Sequence, residues 1–546
     1  MGRLAVYDVM GIQRFVFGTN RLKENIGGSI LVEKVLSLFL PQTIKAHTQK
    51  CYTNWSKAER FEMLHDPYLE AEVIYIGGGN ALVAYRDKDI EMKVTRAFSK
   101  LVFEKTYSLG VASASIETDF TSNFDSERLK LFNELSKKKA EYIKTYPLMG
   151  IAITKQDIET GFPITSFNQQ GEYFTMEKYL KQKEEGEAFS RFVNGNRGNE
   201  YSFLGEEFLY PREIDDLGQY EGENFIAIVH IDGNNMGRKI SNCLQGYKNY
   251  EEAVQKMRCL SLKISETYSN AFKNLVELIQ ENINGLEKRK IIKAAKAENG
   301  KRYLPIRPII LNGDDITFIC HAKIALHLSE IFLNYIKKQF ISDLKSNLSA
   351  CAGIAIFKSH FPFSKAYELA EECCTSAKAK AKFPFYTDGE KIGNWIDFHV
   401  CYGGITENLS KFRERCYNVA DLKAPIDRSS DRVLKGYNLL WRPWCMDDSP
   451  ETEQYSWEYF KKMNQYFLKD KETKWPRSKL KGLRDAYSHG AEAVRVFLEE
   501  ANSRGYFLPE INGQAYERGF NADGCTPYFD VLEMMDLYEE LGEGEM

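Results

Sequence analysis

Short apolar runs that stop at glycines or carboxylates alternate along this chain with longer stretches that are apolar at helical spacing, and the alternation occurs twice in one order. Residues 3–7 predict a buried strand, and residues 29–47 carry apolar positions at a helical repeat. Residues 71–76 and 81–85 predict two strands around Gly77-Gly78-Gly79-Asn80, a helix follows over 90–104, and 110–116 closes the set. The order β-α-β-β-α-β predicts a ferredoxin-like sheet. It returns with a strand at 225–231, a mostly helical stretch at 251–283, strands at 306–311 and 316–320, a helix over 324–344, a strand at 350–357 and a helix over 364–382.

Between the repeats lie a helical pattern at 126–145 and a polar loop at 194–199, and beyond residue 399 the pattern is helical and aromatic-rich, with Trp441 and Trp444 read as core, ending in an acidic tail at 539–545. The expected units are 1–118, 119–221, 222–398 and 399–546, an α+β chain with two ferredoxin-like sheets, a mainly helical connection and a helical C-terminal domain. A chain of 546 residues exceeds one growing core, and 43% hydrophobic with 27% charged residues describes an ordinary globular protein. A net charge of -4 excludes a polycation, so any contact with nucleotides or nucleic acid must be local. No stretch approaches the ~20 apolar residues of a membrane span and no signal peptide is visible, which predicts a cytoplasmic protein with no membrane partner. The 11 cysteines form no CxxC pair, so Cys320, Cys351, Cys373 and Cys374 read as reduced core residues rather than zinc ligands.

The chemistry concentrates in the second repeat. Its first strand ends at Asp232, followed by Gly233-Asn234-Asn235-Met236-Gly237, and its hairpin tip reads Asn312-Gly313-Asp314-Asp315. In a ferredoxin-like sheet the first strand lies antiparallel beside the third, so Asp232 is expected to converge with Asp314 and Asp315, neighbouring strands being about 4.8 Å apart. Clustered carboxylates repel unless neutralised, and oxygen ligands favour Mg²⁺ or Mn²⁺, two ions being expected with nucleoside triphosphate completing their shells. Gly233 and Gly237 allow close backbone approach to phosphate. Positive charge is available from the basic run at 288–302, which also reads as an exposed face, and from Lys378 and Lys380.

Taken together these residues resemble the large subunit of type III CRISPR effector complexes, over about residues 3–382. In the first repeat the likeness rests on Asp8 to Phe15, Leu22-Lys23-Glu24, Gly27-Gly28-Ser29 and Gly77-Gly78-Gly79-Asn80. In the second it rests on the Asp232 and Asn312 motifs, Ala352-Gly353-Ile354, Ala370-Glu371-Glu372 and Ala377-Lys378. The resemblance implies two palm domains that condense ATP into cyclic oligoadenylate messengers for antiviral defence, gated by RNA and partner subunits. It implies that Asp232, Gly233, Asp314 and Asp315 hold metal, and that Lys378 binds triphosphate. Ser29, Gly78, Gly79, Asn80, Gly233, Asn234, Asn235, Met236, Gly237 and Gly313 would contact nucleotide. The sequence departs from the family in Asn234 and Asn312, in lacking the inter-palm cysteine cluster, and in starting directly in the first palm, so no HD nuclease activity is expected. A catalytically inactive scaffold of an RNA-guided ribonucleoprotein, a template-directed polymerase and a cyclic dinucleotide synthase are the alternative readings.

Overall fold

The structure is a computed structural model that describes residues 2–141, 151, 153–167, 171–194, 201–297, 299–382, 393–404, 407–420, 436–447, 452–510, 516 and 518–542. The expected polar loop beyond residue 194, the last residues of the 126–145 pattern and the end of the acidic tail lie outside them.

The first repeat folds as β1 (Gly2–Met10), α1 (Ile12–Phe17), α2 (Leu22–Lys34), α3 (Leu40–His47), β2 (Cys51–Tyr52), β3 (Ala71–Gly77), β4 (Asn80–Tyr85), α4 (Lys88–Thr106), β5 (Gly110–Thr118) and α5 (Phe124–Glu141). Its sheet runs in the order β2-β3-β4-β1-β5, the ferredoxin-like order with one short strand added at the edge. The first long helix begins at Leu22 rather than residue 29. Gly27 and Gly28 look like helix breakers, but a Cβ on Gly27 would lie 1.8 Å from the Lys181 carbonyl oxygen. The glycine lets α2 press its backbone against a helix of the connecting region.

That connection contains β6 (Ile164–Phe167), β7 (Tyr173–Thr175), α6 (Met176–Val193) and β8 (Phe208–Leu209), so it is less helical than the sequence pattern suggests. Helix α5, placed in the connection by the sequence pattern, packs on β5 and completes the first palm.

The second repeat comprises β9 (Phe225–Gly233), α7 (Met236–Leu244), α8 (Tyr250–Lys288), β10 (Arg302–Tyr303), β11 (Ile306–Asn312), β12 (Asp315–His321), α9 (Ala325–Lys337), β13 (Phe340–Ile341), β14 (Ser346–Asn347), β15 (Ala350–Lys358) and α10 (Phe363–Lys380). The helix expected to reach residue 344 stops at Lys337, because residues 340–347 instead pair as a small hairpin, β13 with β14. The sheet order is β11-β12-β9-β15-β16-β19, with β16 (Trp395–Cys401) parallel to β15 and β19 (Trp444–Cys445) at the edge. A boundary at residue 398 therefore falls inside a fully buried strand. The C-terminal part adds α11 (Leu409–Cys416), the β17 (Asn418–Ala420) and β18 (Gly436–Asn438) hairpin, and α12 (Trp457–Asn464), α13 (Arg477–Ser488), α14 (Ala491–Ser503) and α15 (Tyr528–Met534). Trp441 and Trp444 lie in its core, at 5% and 0% exposure.

The two palms dock reciprocally. In each hairpin the fourth residue of the first strand, Ile74 in β3 and Ile309 in β11, sits where the ladder register shifts, which frees a carbonyl. Arg258 of α8, from the second palm, donates Nε to the Ile74 carbonyl (3.0 Å), and Ser29 of α2, from the first palm, donates its hydroxyl to the Ile309 carbonyl. Arg258 also donates to the Arg60 and Val73 carbonyls and pairs with the buried Glu72 at 2.8 Å. Nearby, Phe17 stacks on Tyr367 with ring centroids 4.3 Å apart.

Because removing one partner of a buried ion pair strands the other, Arg258→Met is expected to lower the unfolding free energy by about 3–5 kcal/mol. Urea denaturation followed by far-UV circular dichroism measures this. Arg258→Met combined with Glu72→Gln should recover part of the loss, whereas additive losses would mean the pair does not clamp the palms.

Candidate metal and nucleotide site

The register of β9 with β12 sets Asp232 opposite Asp315 and, two residues inward on the same face, His230 opposite Thr317. Asp314 is brought alongside by the two-residue turn between Asn312 and Asp315, whose first position, Gly313, has φ 64°. That left-handed conformation suits glycine at the first position of a tight hairpin turn. Gly233 is fixed by space instead, since a Cβ there would lie 2.7 Å from Asp314 Oδ2 and 2.8 Å from the Tyr268 hydroxyl. The three aspartates that are remote in sequence thus share one rim of the second sheet.

Their charges are only partly balanced. Lys378 on α10 forms an ion pair with Asp232 Oδ2 and donates to the Gly233 carbonyl at 3.2 Å. Burial alone would lower the Lys378 pKa, but the pairing with Asp232 more than offsets it and holds the ammonium above the ordinary lysine range. Burial, reinforced by repulsion from Asp232, pushes Asp314 up to about 6. Burial and the charges of Asp232, Asp314 and Glu371 push Asp315 up to about 8. The Asp315 side chain remains 42% exposed, so crowding by neighbouring atoms and charges, rather than full enclosure, raises it. His230 is buried and lowered to about 4, hence neutral, and bonds Thr317 Oγ1 at 3.1 Å.

The donor set suits a hard divalent cation: carboxylates from Asp232, Asp314 and Asp315 with the Gly233 carbonyl, all oxygen. Two buried oxygens at this rim, Asp315 Oδ1 and the Tyr268 hydroxyl, have no hydrogen-bond partner among the described residues, and the mutual repulsion of the acids is what a cation relieves. Among the described residues no three His, Cys, Asp or Glu side chains are gathered closely enough to form a cation cage by themselves. The chain's carboxylates would thus be one part of a shell that a phosphate-bearing ligand completes.

The other expected contacts divide. The Asn234 side chain is buried and donates to the Gly393 carbonyl at 3.0 Å, so it props the chain rather than lining the rim. Asn235 is left-handed (φ 52°) and turns the chain into α7, whose first residues are Met236 and Gly237. A Cβ on Gly237 would meet nothing, so no close approach in the structure requires that glycine. The basic run at 288–302 lies away from the rim: it precedes the start of β11, the end of that strand opposite Asn312, and two of its arginines are engaged there. Arg302 pairs with Glu287 at 2.6 Å, and Arg289 donates to the carbonyls of Glu540 and Leu541. Lys380 lies over the Tyr455 ring, 3.9 Å from its centroid, on a different face of α10 from Lys378.

In the first palm the tip Gly78-Gly79 is left-handed at both residues (φ 57° and 77°). Asn80 is tied inward, accepting from the Tyr75 hydroxyl at 2.6 Å and donating to the Gly78 carbonyl at 3.2 Å. The two tips touch, for a Cβ on Gly313 would lie 3.3 Å from the Gly78 nitrogen. Sequence reasoning missed a further equivalence. Asp8 stands opposite Asn80 as Asp232 stands opposite Asp315, and Lys139 pairs with Asp8 at 2.6 Å from the same position of its helix, counted from Phe124, as Lys378 holds counted from Phe363. It also missed Gln13, which reaches across from the first palm to Glu371 Oε1 at 2.9 Å. Counting helix positions after each fourth strand would have found Lys139, whereas no local signal marks Gln13.

Two docked palms, one with an acidic tip and one without, define a double-palm protein. Residues 225–383 match the family profile described as Cas10/Cmr2, second palm domain. The second palm is therefore similar to that of Cas10/Cmr2 proteins. Along 98% of its length it shares the fold of solved Csm1–Csm4 structures: one in complex with pppApA (12% identity, 69% of that chain, TM-score 0.52) and one in complex with one ATP (14% identity, 69% of that chain, TM-score 0.52). No curated protein matches the chain. Among the described residues no helix is long and apolar enough to cross a membrane.

Carboxylates whose pKa rises on folding favour the fold below about pH 4 and work against it as pH climbs through about 6 and then 8. In EDTA, Asp314→Asn/Asp315→Asn should therefore gain thermal stability over the unmodified protein progressively between pH 5 and 9. Mn²⁺ should reverse the order at pH 8. Differential scanning fluorimetry reads both, and a pH-independent difference would refute the crowding.

Proposed function

We propose that this protein is a metal-dependent nucleotidyltransferase that condenses ATP through 3′–5′ bonds into linear or cyclic oligonucleotides, working with RNA and partner subunits of a type III CRISPR-like complex. The observation that carries the reading is the register that sets Asp232 against Asp315, with Asp314 beside them and Lys378 on Asp232. The solved structures of like fold are of complexes with ATP and pppApA, and a third, of like fold at TM-score 0.50, is of a complex with cA4.

A divalent cation bound by the three aspartates would stabilise charge on the transferring phosphoryl group and lower the pKa of the attacking hydroxyl. The remaining roles belong to the chain. Lys378 is a mobile counter-charge: a triphosphate arriving beside Asp232 offers its ammonium new oxygens, so it moves from carboxylate to phosphate over a short reach. The first turn of α7 presents backbone N–H groups, with Gly233 keeping the wall low. The first palm's tip, which carries no acid, receives the second nucleotide without repelling its phosphates. Gln13 and Glu371 tie the two nucleotide-bearing faces together.

Incubation with labelled ATP and Mn²⁺ or Mg²⁺, with and without RNA, should release pyrophosphate, and Asp314→Ala/Asp315→Ala should reduce the rate at least about a hundredfold. Lys378→Met is expected to raise KM for ATP about tenfold, roughly 1.4 kcal/mol, with a smaller change in kcat. A scaffold role is the second reading, favoured by Asn234, whose side chain is committed to the Gly393 carbonyl. Absence of pyrophosphate release under every condition, with the fold intact, would establish the scaffold and end the enzyme reading.

A further inference from the structure

Both strands that carry the carboxylates have their other ends at a second site. Strand β9 starts at Phe225 and β12 finishes at His321, at the opposite rim of the sheet, roughly 20 Å from Asp232 and Asp315 at about 3.3 Å per residue. Two adjoining cavities open there, of about 550 and 350 Å³, between the sheet and helices α11, α13 and α15. They share Tyr402, Lys481, Arg484 and Glu533 as a common wall. Their sizes are those of small-molecule sites.

Most charges of the lining are already paired, and Asp485, exposed to solvent, lies 3.8 Å from the His489 ring. Glu533 is spent, accepting from the Tyr417 hydroxyl at 2.7 Å and from Arg442 at 2.6 Å. Lys323 is spent on Glu223 at 2.6 Å, and Asp536 pairs with Arg477. Lys481 and Arg484, one turn apart on α13, have no hydrogen bond or ion pair among the described residues, although Arg484 is half-buried. A half-buried guanidinium without an anion is a costly arrangement that an anionic ligand relieves.

The larger cavity is lined by the aromatic side chains of Tyr402, Phe412, Tyr417 and Phe529. Tyr402 is 53% exposed, unusual for a ring beside a core. His321, in the smaller cavity, accepts from the Lys323 backbone N–H at Nδ1 (3.3 Å), which leaves Nε2 carrying the proton, buried and without a hydrogen bond, the Glu223 carboxylate lying 3.9 Å away. His399, in the larger, has both ring nitrogens unbonded. Burial holds both imidazoles below the ordinary histidine range, so they offer hydrogen bonds rather than charge.

We propose that this paired cavity binds a small ligand made of a planar aromatic ring and a phosphate, of the mononucleotide class, with the ring against the tyrosine and phenylalanine faces and the phosphate on Lys481 and Arg484. The assignment does not rest on the catalytic reading, for the site is built from other residues on the far rim.

The test uses the full chain carrying Asp232→Asn, Asp314→Asn and Asp315→Asn, in EDTA, so that the carboxylate rim holds no metal. Equilibrium dialysis with AMP, and photolabelling with 8-azido-AMP mapped by mass spectrometry, should place the label on the Tyr402 segment or on α13. AMP should bind more tightly than adenosine or inorganic phosphate alone. Arg484→Glu/Lys481→Glu should weaken AMP at least tenfold without moving the unfolding temperature, and Tyr402→Ala should weaken it too. Labelling confined to the palm tips, unchanged affinity in both variants, or no binding at millimolar AMP would overturn the proposal. Displacement of AMP only by RNA of several nucleotides would overturn it in favour of an RNA surface. Retained AMP binding in a chain that releases no pyrophosphate would separate this site's standing from that of the enzyme reading.

Discussion

A carbonyl expelled from a β-ladder needs a donor, and this molecule is assembled around two such carbonyls. Ile74 and Ile309 occupy the same position in the two hairpins, each sits at a register shift, and each is capped by a helix of the opposite palm. A buried polar group left unpaired is costly, so neither palm satisfies its own backbone without the other. The docking is specific because it is polar. Arg258, with Glu72 as its counter-charge and four acceptors within 3.1 Å, admits little sliding. Everything at the inter-palm cleft, from the contact of Gly313 with Gly78 to the reach of Gln13, follows from that fixed relation.

Within it the two sheets present contrasting rims. Each has an aspartate at the end of its first strand and a lysine from the same turn of its last helix. In the first palm the opposing residue is Asn80 and the tip is Gly78-Gly79, so one lysine nearly balances one acid. In the second, Asp314 and Asp315 add two charges against one ammonium, and the surplus is visible in carboxyls driven up to about 6 and 8. One topology therefore yields a neutral, self-satisfied rim and an electrostatically strained one, and strain of this kind is characteristic of sites that take up cations.

Much of this was legible in the amino-acid sequence because it depends on periodicity and topology. The ferredoxin-like order, read from apolar runs, was enough to expect Asp232 and Asp315 on one rim. The fate of individual side chains was not readable. Ser29, expected at a nucleotide, caps Ile309, and Asn234 bonds the Gly393 carbonyl, because both partners are backbone groups exposed only by the tertiary fold. The basic run at 288–302 misled because sequence proximity to β11 says nothing about which end of the strand it borders. Helix α2 began early because Gly27 answers to α6, far along the chain, and β16 straddles the boundary expected at residue 398, most of it in a stretch to which no element was assigned.

The contact between the acidic tip and the glycine tip carries a consequence for direction. Two identical subunits meeting head to head would treat a pair of bound molecules alike, and either could play either part. Here the two lips are covalently one chain and chemically unlike, so a pair of ligands straddling Gly313 and Gly78 is told apart at once. Two unlike halves in one chain make an oriented meeting place in place of a two-fold one, with a built-in before and after.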